Sequence, residues 1–65
     1  MTNTIADKPQ LGDLVVGLGN DLGIISHIEN DKLMCPYFIQ WISGGLQGYT
    51  TAHNLFEIES WSKNL

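Results

Sequence analysis

The chain has 65 residues with seven acidic side chains, three lysines and no arginine, and its net charge is −4. At this length it holds one domain that buries only about 60% of the surface its unfolded chain exposes, while 43% apolar against 15% charged residues is a globular balance and not a disordered one. Lys8, Lys32 and Lys63 are scattered among Asp7, Asp13, Asp21, Glu29, Asp31, Glu57 and Glu59. No basic patch can be assembled from them, which argues against binding to nucleic acid or to anionic membranes.

The first nine residues are polar except for Ile5 and end in a proline; with Gln10 they read as a flexible N-terminal arm. From Leu11 the pattern becomes strand-like. In residues 13–18, Leu14, Val16 and Leu18 fall on one face and Val15 and Gly17 on the other. Gly19, Asn20 and Asp21 carry turn chemistry, because glycine and asparagine tolerate positive φ. A second run, residues 22–28, groups Leu22, Ile24 and Ile28, with Ile25 and His27 opposite and Ser26 interrupting. A polar turn over residues 29–32 follows.

The third run, residues 33–43, is the longest and the richest in aromatics. Tyr37, Ile39 and Trp41 share one face, and Phe38, Gln40 and Ile42 share the other. Pro36 cannot donate a ladder hydrogen bond, so the strand starts after it or runs along an edge there. Gly44 and Gly45 are expected to close a short hairpin into residues 46–51. Residues 51–55 are too few for a stable α-helix and suit one 3₁₀ turn that drops Leu55 inward, with His53 as a polar residue of that turn. Alternation then resumes, placing Phe56 and Ile58 inside and Glu57 and Glu59 outside. Residues 60–65 read as a C-terminal tail carrying Trp61. Five short strands spaced near ten residues apart, with no amphipathic helix, predict an all-β fold: a small five-stranded antiparallel barrel over residues 11–59, with one 3₁₀ turn before the last strand.

Several chemistry-bearing patterns have simpler explanations. The glycines of residues 17–23 resemble a dinucleotide fingerprint, but the third is one place late and no helix follows to meet a phosphate. Cys35, His27 and His53 lack the close pairing of a zinc site, and read as a small half-buried hydrophobe and two polar residues. The lone cysteine cannot form an internal disulfide, which fits a reducing compartment. No segment reaches the ~18 apolar residues of a membrane helix, and the N-terminus lacks the regions of a signal peptide. Glu57 and Glu59, two apart in a strand, are accounted for by solvation alone. No catalytic residue, metal or cofactor is predicted.

The aromatics are more informative. Tyr37, Phe38, Trp41, Tyr49, Phe56 and Trp61 exceed what so small a barrel can enclose. With Ile39 and the alternate aliphatics as core, Phe38, Ile42, Tyr49 and Trp61 are the candidate protein-interaction residues, since exposed aromatics are enriched at interface centres. Trp61 has a second reading, as a lid folded over an open barrel end.

Gly12-Asp13-Leu14-Val15, Gly23-Ile24-Ile25, Tyr37-Phe38-Ile39-Gln40-Trp41, Gly45, Tyr49, Asn54-Leu55 and Ile58 follow a recurrent layout. Over residues 11–59 it resembles the small SH3-like barrel proteins of tailed bacteriophages. The resemblance implies a non-enzymatic accessory protein that docks on virion proteins or self-assembles as a homo-oligomer. Its alternative implication is an early protein that binds and regulates a host enzyme or polymerase. The expected location is accordingly the virion or the host cytoplasm.

Overall fold

The computed structural model describes residues 8–29 and 34–62. Five strands follow one another: β1 (Leu14–Gly17), β2 (Leu22–Ile28), β3 (Tyr37–Trp41), β4 (Thr50–His53) and β5 (Ile58–Ser62), with a 3₁₀ turn (Leu55–Glu57) before the last. All pairings are antiparallel in one sheet of order β4-β3-β2-β1-β5. The all-β class, the strand count and the presence of one 3₁₀ turn before the last strand agree with the sequence expectation. No ladder joins β4 to β5, so the sheet's hydrogen bonding stays open at that seam. No helix among the described residues is long and apolar enough to cross a membrane.

Chain geometry forces this sheet to curl. β4 and β5 lie at opposite ends of the strand order, four spacings of about 4.8 Å apart if the sheet were flat, or about 19 Å. Only the 3₁₀ turn and its cap connect them, and a 3₁₀ helix advances about 2 Å per residue. Such a link cannot span a flat sheet, so the two edges bend toward each other around a common interior.

That interior holds Val15, Ile25, Tyr37, Ile39, Trp41 and Ile58, with Ile28, Leu55 and Trp61 packed against it. The buried face of β1 is therefore that of Val15 and Gly17, and that of β2 begins with Gly23 and Ile25. Two β-bulges reset the two-residue alternation. In β2, Ile25 pairs with Ile39 and His27 with Phe38, leaving Ser26 as the extra residue. Ile25 and Ile28, three apart, both turn inward as a result. In β5, Ser60 pairs with Val16 and Ile58 with Gly17, leaving Glu59 extra, so that Ile58 and Trp61 share the inner side. Burying side chains of this size stabilises the fold by about 1.5–3 kcal/mol each.

Several boundaries differ from the sequence expectation. Pro9 is fully buried and the Gln10 N–H donates to Asp13 Oδ2 at 2.7 Å, so the end of the expected arm is folded in. The third strand occupies only Tyr37–Trp41, beginning after Pro36; Leu33 lies outside the described residues. Residues 42–49 form a longer loop than a two-glycine hairpin, with Gly44 and Gly48 at φ of 87° and 89°. His53 belongs to β4, and the 3₁₀ turn comes after it. Phe56, expected inside, is 87% exposed: within a 3₁₀ turn Leu55 takes the inward position and its neighbour points away. β5 continues through Ser62, so residues 60–62 of the expected tail are strand. Residues 1–7 of the arm and 63–65 of the tail lie outside the described residues.

Two glycines are required by Trp41. A Cβ on Gly17 would come within 2.8 Å of Trp41 Cη2, and one on Gly23 within 3.0 Å of Trp41 Cε3, against Ile39 Cγ2 as well. Gly23→Ala is therefore expected to destabilise the protein by about 1–3 kcal/mol through overpacking. Gly45→Ala, whose Cβ meets nothing within 4 Å, is expected to stay within about 0.5 kcal/mol of wild type. Urea denaturation of both variants checks the contrast.

Candidate functional site

Because β1–β2 and β3–β4 are both antiparallel pairs of one meander, the turn at residues 17–21 and the loop at residues 42–49 lie at the same end of the sheet. The turn is closed by Gly17 N–H to Asp21 O at 2.9 Å and Asn20 N–H to Gly17 O at 3.0 Å, with Asn20 at φ 67°. Its asparagine fills the role the sequence suggested. The turn and loop are stitched together: Ile42 N–H donates to Leu22 O at 2.7 Å, and Leu22 N–H donates to Ser43 Oγ at 3.0 Å. Asp21 lies against Gly44, where its carboxylate fills the space a Cβ would need.

Between these segments and the 3₁₀ turn opens a cleft of about 220 Å³, lined by Gly17, Leu18, Gly19, Asp21, Trp41, Leu46, His53 and Glu57. A polar relay runs along one wall. The Trp41 indole Nε1–H donates to Thr51 Oγ1 at 2.7 Å, and the Thr51 hydroxyl bonds His53 Nε2. His53 Nδ1 in turn lies 3.0 Å from Glu57 Oε1. Carboxylate is only an acceptor, so His53 Nδ1 carries a proton and donates to Glu57 Oε1. The His53 ring also meets the Trp41 ring edge-on, with centroids 5.4 Å apart.

Glu57 is held from two further sides. Asn54 caps the 3₁₀ turn: the Glu57 N–H donates to Asn54 Oδ1 at 3.1 Å, and the Asn54 N–H donates back to Glu57 Oε1 at 3.2 Å. This capping box, with the His53 contact, fixes Glu57 Oε1 and leaves Oε2 outside these bonds. Glu57 thus belongs to the turn and does not share a strand face with Glu59 as the sequence pattern suggested.

Of the sequence-predicted interaction residues, the structure places Ile42 and Tyr49 in the loop beside the cleft, exposed at 46% and 66%. Phe38 is half-buried on the outer face of β3, its ring 5.3 Å from that of His27. Trp61 is half-buried against the core beside Val15. These two lie away from the loop that carries the other pair. The residues not foreseen as a site are Leu18, Asp21, Leu46, His53 and Glu57; the glycine-bounded turn at residues 17–23 was the available signal, read only as turn chemistry. His27 pairs with Glu29 at 2.9 Å, and no group of three potential metal ligands is gathered among the described residues.

Compared with protein-family models, curated proteins and solved structures, the chain finds no match.

The relay predicts a specific defect. Thr51→Val would leave the Trp41 indole N–H and His53 Nε2 unpaired in a half-buried position, at a cost of about 1–3 kcal/mol. Urea denaturation should show that loss, and proton exchange at the Trp41 indole should accelerate even under native conditions.

Proposed function

We propose that the protein is a non-enzymatic interaction module that docks on other proteins through the end of the sheet carrying the cleft. The observation that carries this reading is the grouping of exposed apolar side chains there. Leu18 and Leu46 line the cleft, Leu22 and Ile42 are joined by a backbone hydrogen bond, and Tyr49 is tied to Leu46 by its N–H at 2.8 Å. Apolar side chains gathered on a small surface favour burial against a partner. They stand on a frame ordered by the Trp41–Thr51–His53–Glu57 relay, which lowers the entropy lost on docking.

Together with the resemblance to phage SH3-like barrels, this surface supports an accessory protein that docks on virion proteins or assembles with copies of itself. The acidity of the cleft, with Asp21 and Glu57 in its lining, favours as a second reading an early phage protein that binds a basic surface of a host enzyme or polymerase. Mass spectrometry of purified virions separates the two. A fixed copy ratio supports the accessory role; absence from virions, with a monomer in sedimentation, would overturn it.

A surface variant tests the docking face itself. Leu46→Glu is expected to leave stability within about 0.5 kcal/mol, because Leu46 is 41% exposed, and to weaken self-association or virion incorporation at least about tenfold. Sedimentation of the free protein and quantification in virions provide the measurement.

A further inference from the structure

We propose that the cleft receives an arginine side chain presented by the protein partner, an inference that rests on the interaction reading above. Three features of the cleft converge on this chemistry. The first is charge: Asp21 and Glu57 supply carboxylates, and no lysine is among the lining residues. Among the described residues no hydrogen bond reaches the Asp21 carboxylate, although Asp21 is half-buried in the turn. A partly desolvated carboxylate without a partner gains most from an incoming cation that also donates hydrogen bonds.

The second feature is order. The Asp21 carboxylate is seated against Gly44, and Glu57 Oε1 is engaged by His53 and by the Asn54 N–H, which leaves Oε2 outside these bonds. Two carboxylates held on different elements suit a planar fork with five donors better than a single ammonium point charge. The third is the apolar wall. Leu18, Leu46 and the edge of Trp41 would cover the methylene stem and the weakly hydrated guanidinium, whereas an ammonium would be stripped of stronger hydration.

The test is an NMR titration of the full-length, isotopically labelled protein with N-acetyl-arginine methylamide. Its citrulline and lysine counterparts are the comparison probes. Arginine is expected to give saturable shifts at the Trp41 indole N–H and at the amides of Gly17, Leu18, Gly19 and Asp21. Asp21→Asn should weaken binding about tenfold. Glu29→Gln, which removes the same charge away from the cleft, should leave it unchanged; both variants are checked for a native spectrum. The proposal is overturned if no saturable shift occurs, if citrulline or lysine matches arginine, or if Glu29→Gln weakens binding as much as Asp21→Asn. A failed titration alongside lost association in Leu46→Glu would discard the arginine assignment and keep the interaction reading; the reverse pattern would discard the docking face.

Discussion

The fold depends on where the Trp41 indole lies. It sits at the end of β3, almost fully buried, across two positions where neighbouring strands carry no side chain, Gly17 of β1 and Gly23 of β2. Its N–H reaches Thr51 of β4. One side chain thereby links four consecutive strands from the inside of the curl. A smaller residue would leave a void in a core that, among the described residues, holds six buried hydrophobics; a side chain at Gly17 would push against the indole, and one at Gly23 against both Ile39 and the indole.

From this position the rest of the cleft follows. The Thr51 hydroxyl that accepts the indole N–H also orients His53, and His53 orients Glu57 in the 3₁₀ turn. The same turn makes the short crossing from β4 to β5 that keeps the sheet curled. Core packing and the surface feature are thus one continuous set of contacts. The apolar rim has a different origin: Leu18, Leu22, Ile42, Leu46 and Tyr49 belong to a turn and a loop whose backbones are satisfied locally, so their side chains are left over once the six core positions are filled.

The strand count and a 3₁₀ turn before the last strand were legible because alternation and turn chemistry are local, although the turn falls at Leu55–Glu57 and not at residues 51–55. In β3 the face of Tyr37, Ile39 and Trp41 was legible for the same reason. The inner faces of β2 and β5 were not, because single extra residues at Ser26 and Glu59 reverse the alternation midway, and a bulge has no signature in the pattern alone. Phe56 was misplaced by continuing the period of β5 back into a 3₁₀ turn. The cleft was hidden for a further reason. Its residues come from positions 17–21, 41, 46, 53 and 57, and only the curl brings them together. The exposure of Tyr49 and Ile42 was legible because surplus apolar residues can be counted without knowing the register.

The most direct measurement of the role given to Trp41 is native-state amide exchange in Trp41→Phe, which keeps an aromatic core residue and removes the indole N–H and outer ring. Protection is expected to fall throughout as the core loses the outer ring, and to fall furthest at the turn of residues 17–21, at residues 51–53 of β4 and at Glu57, beyond the fall in the β1–β5 ladder between Leu14–Val16 and Ser60–Ser62. A uniform fall across all five strands, or unchanged protection at the turn and at Glu57, would contradict the account.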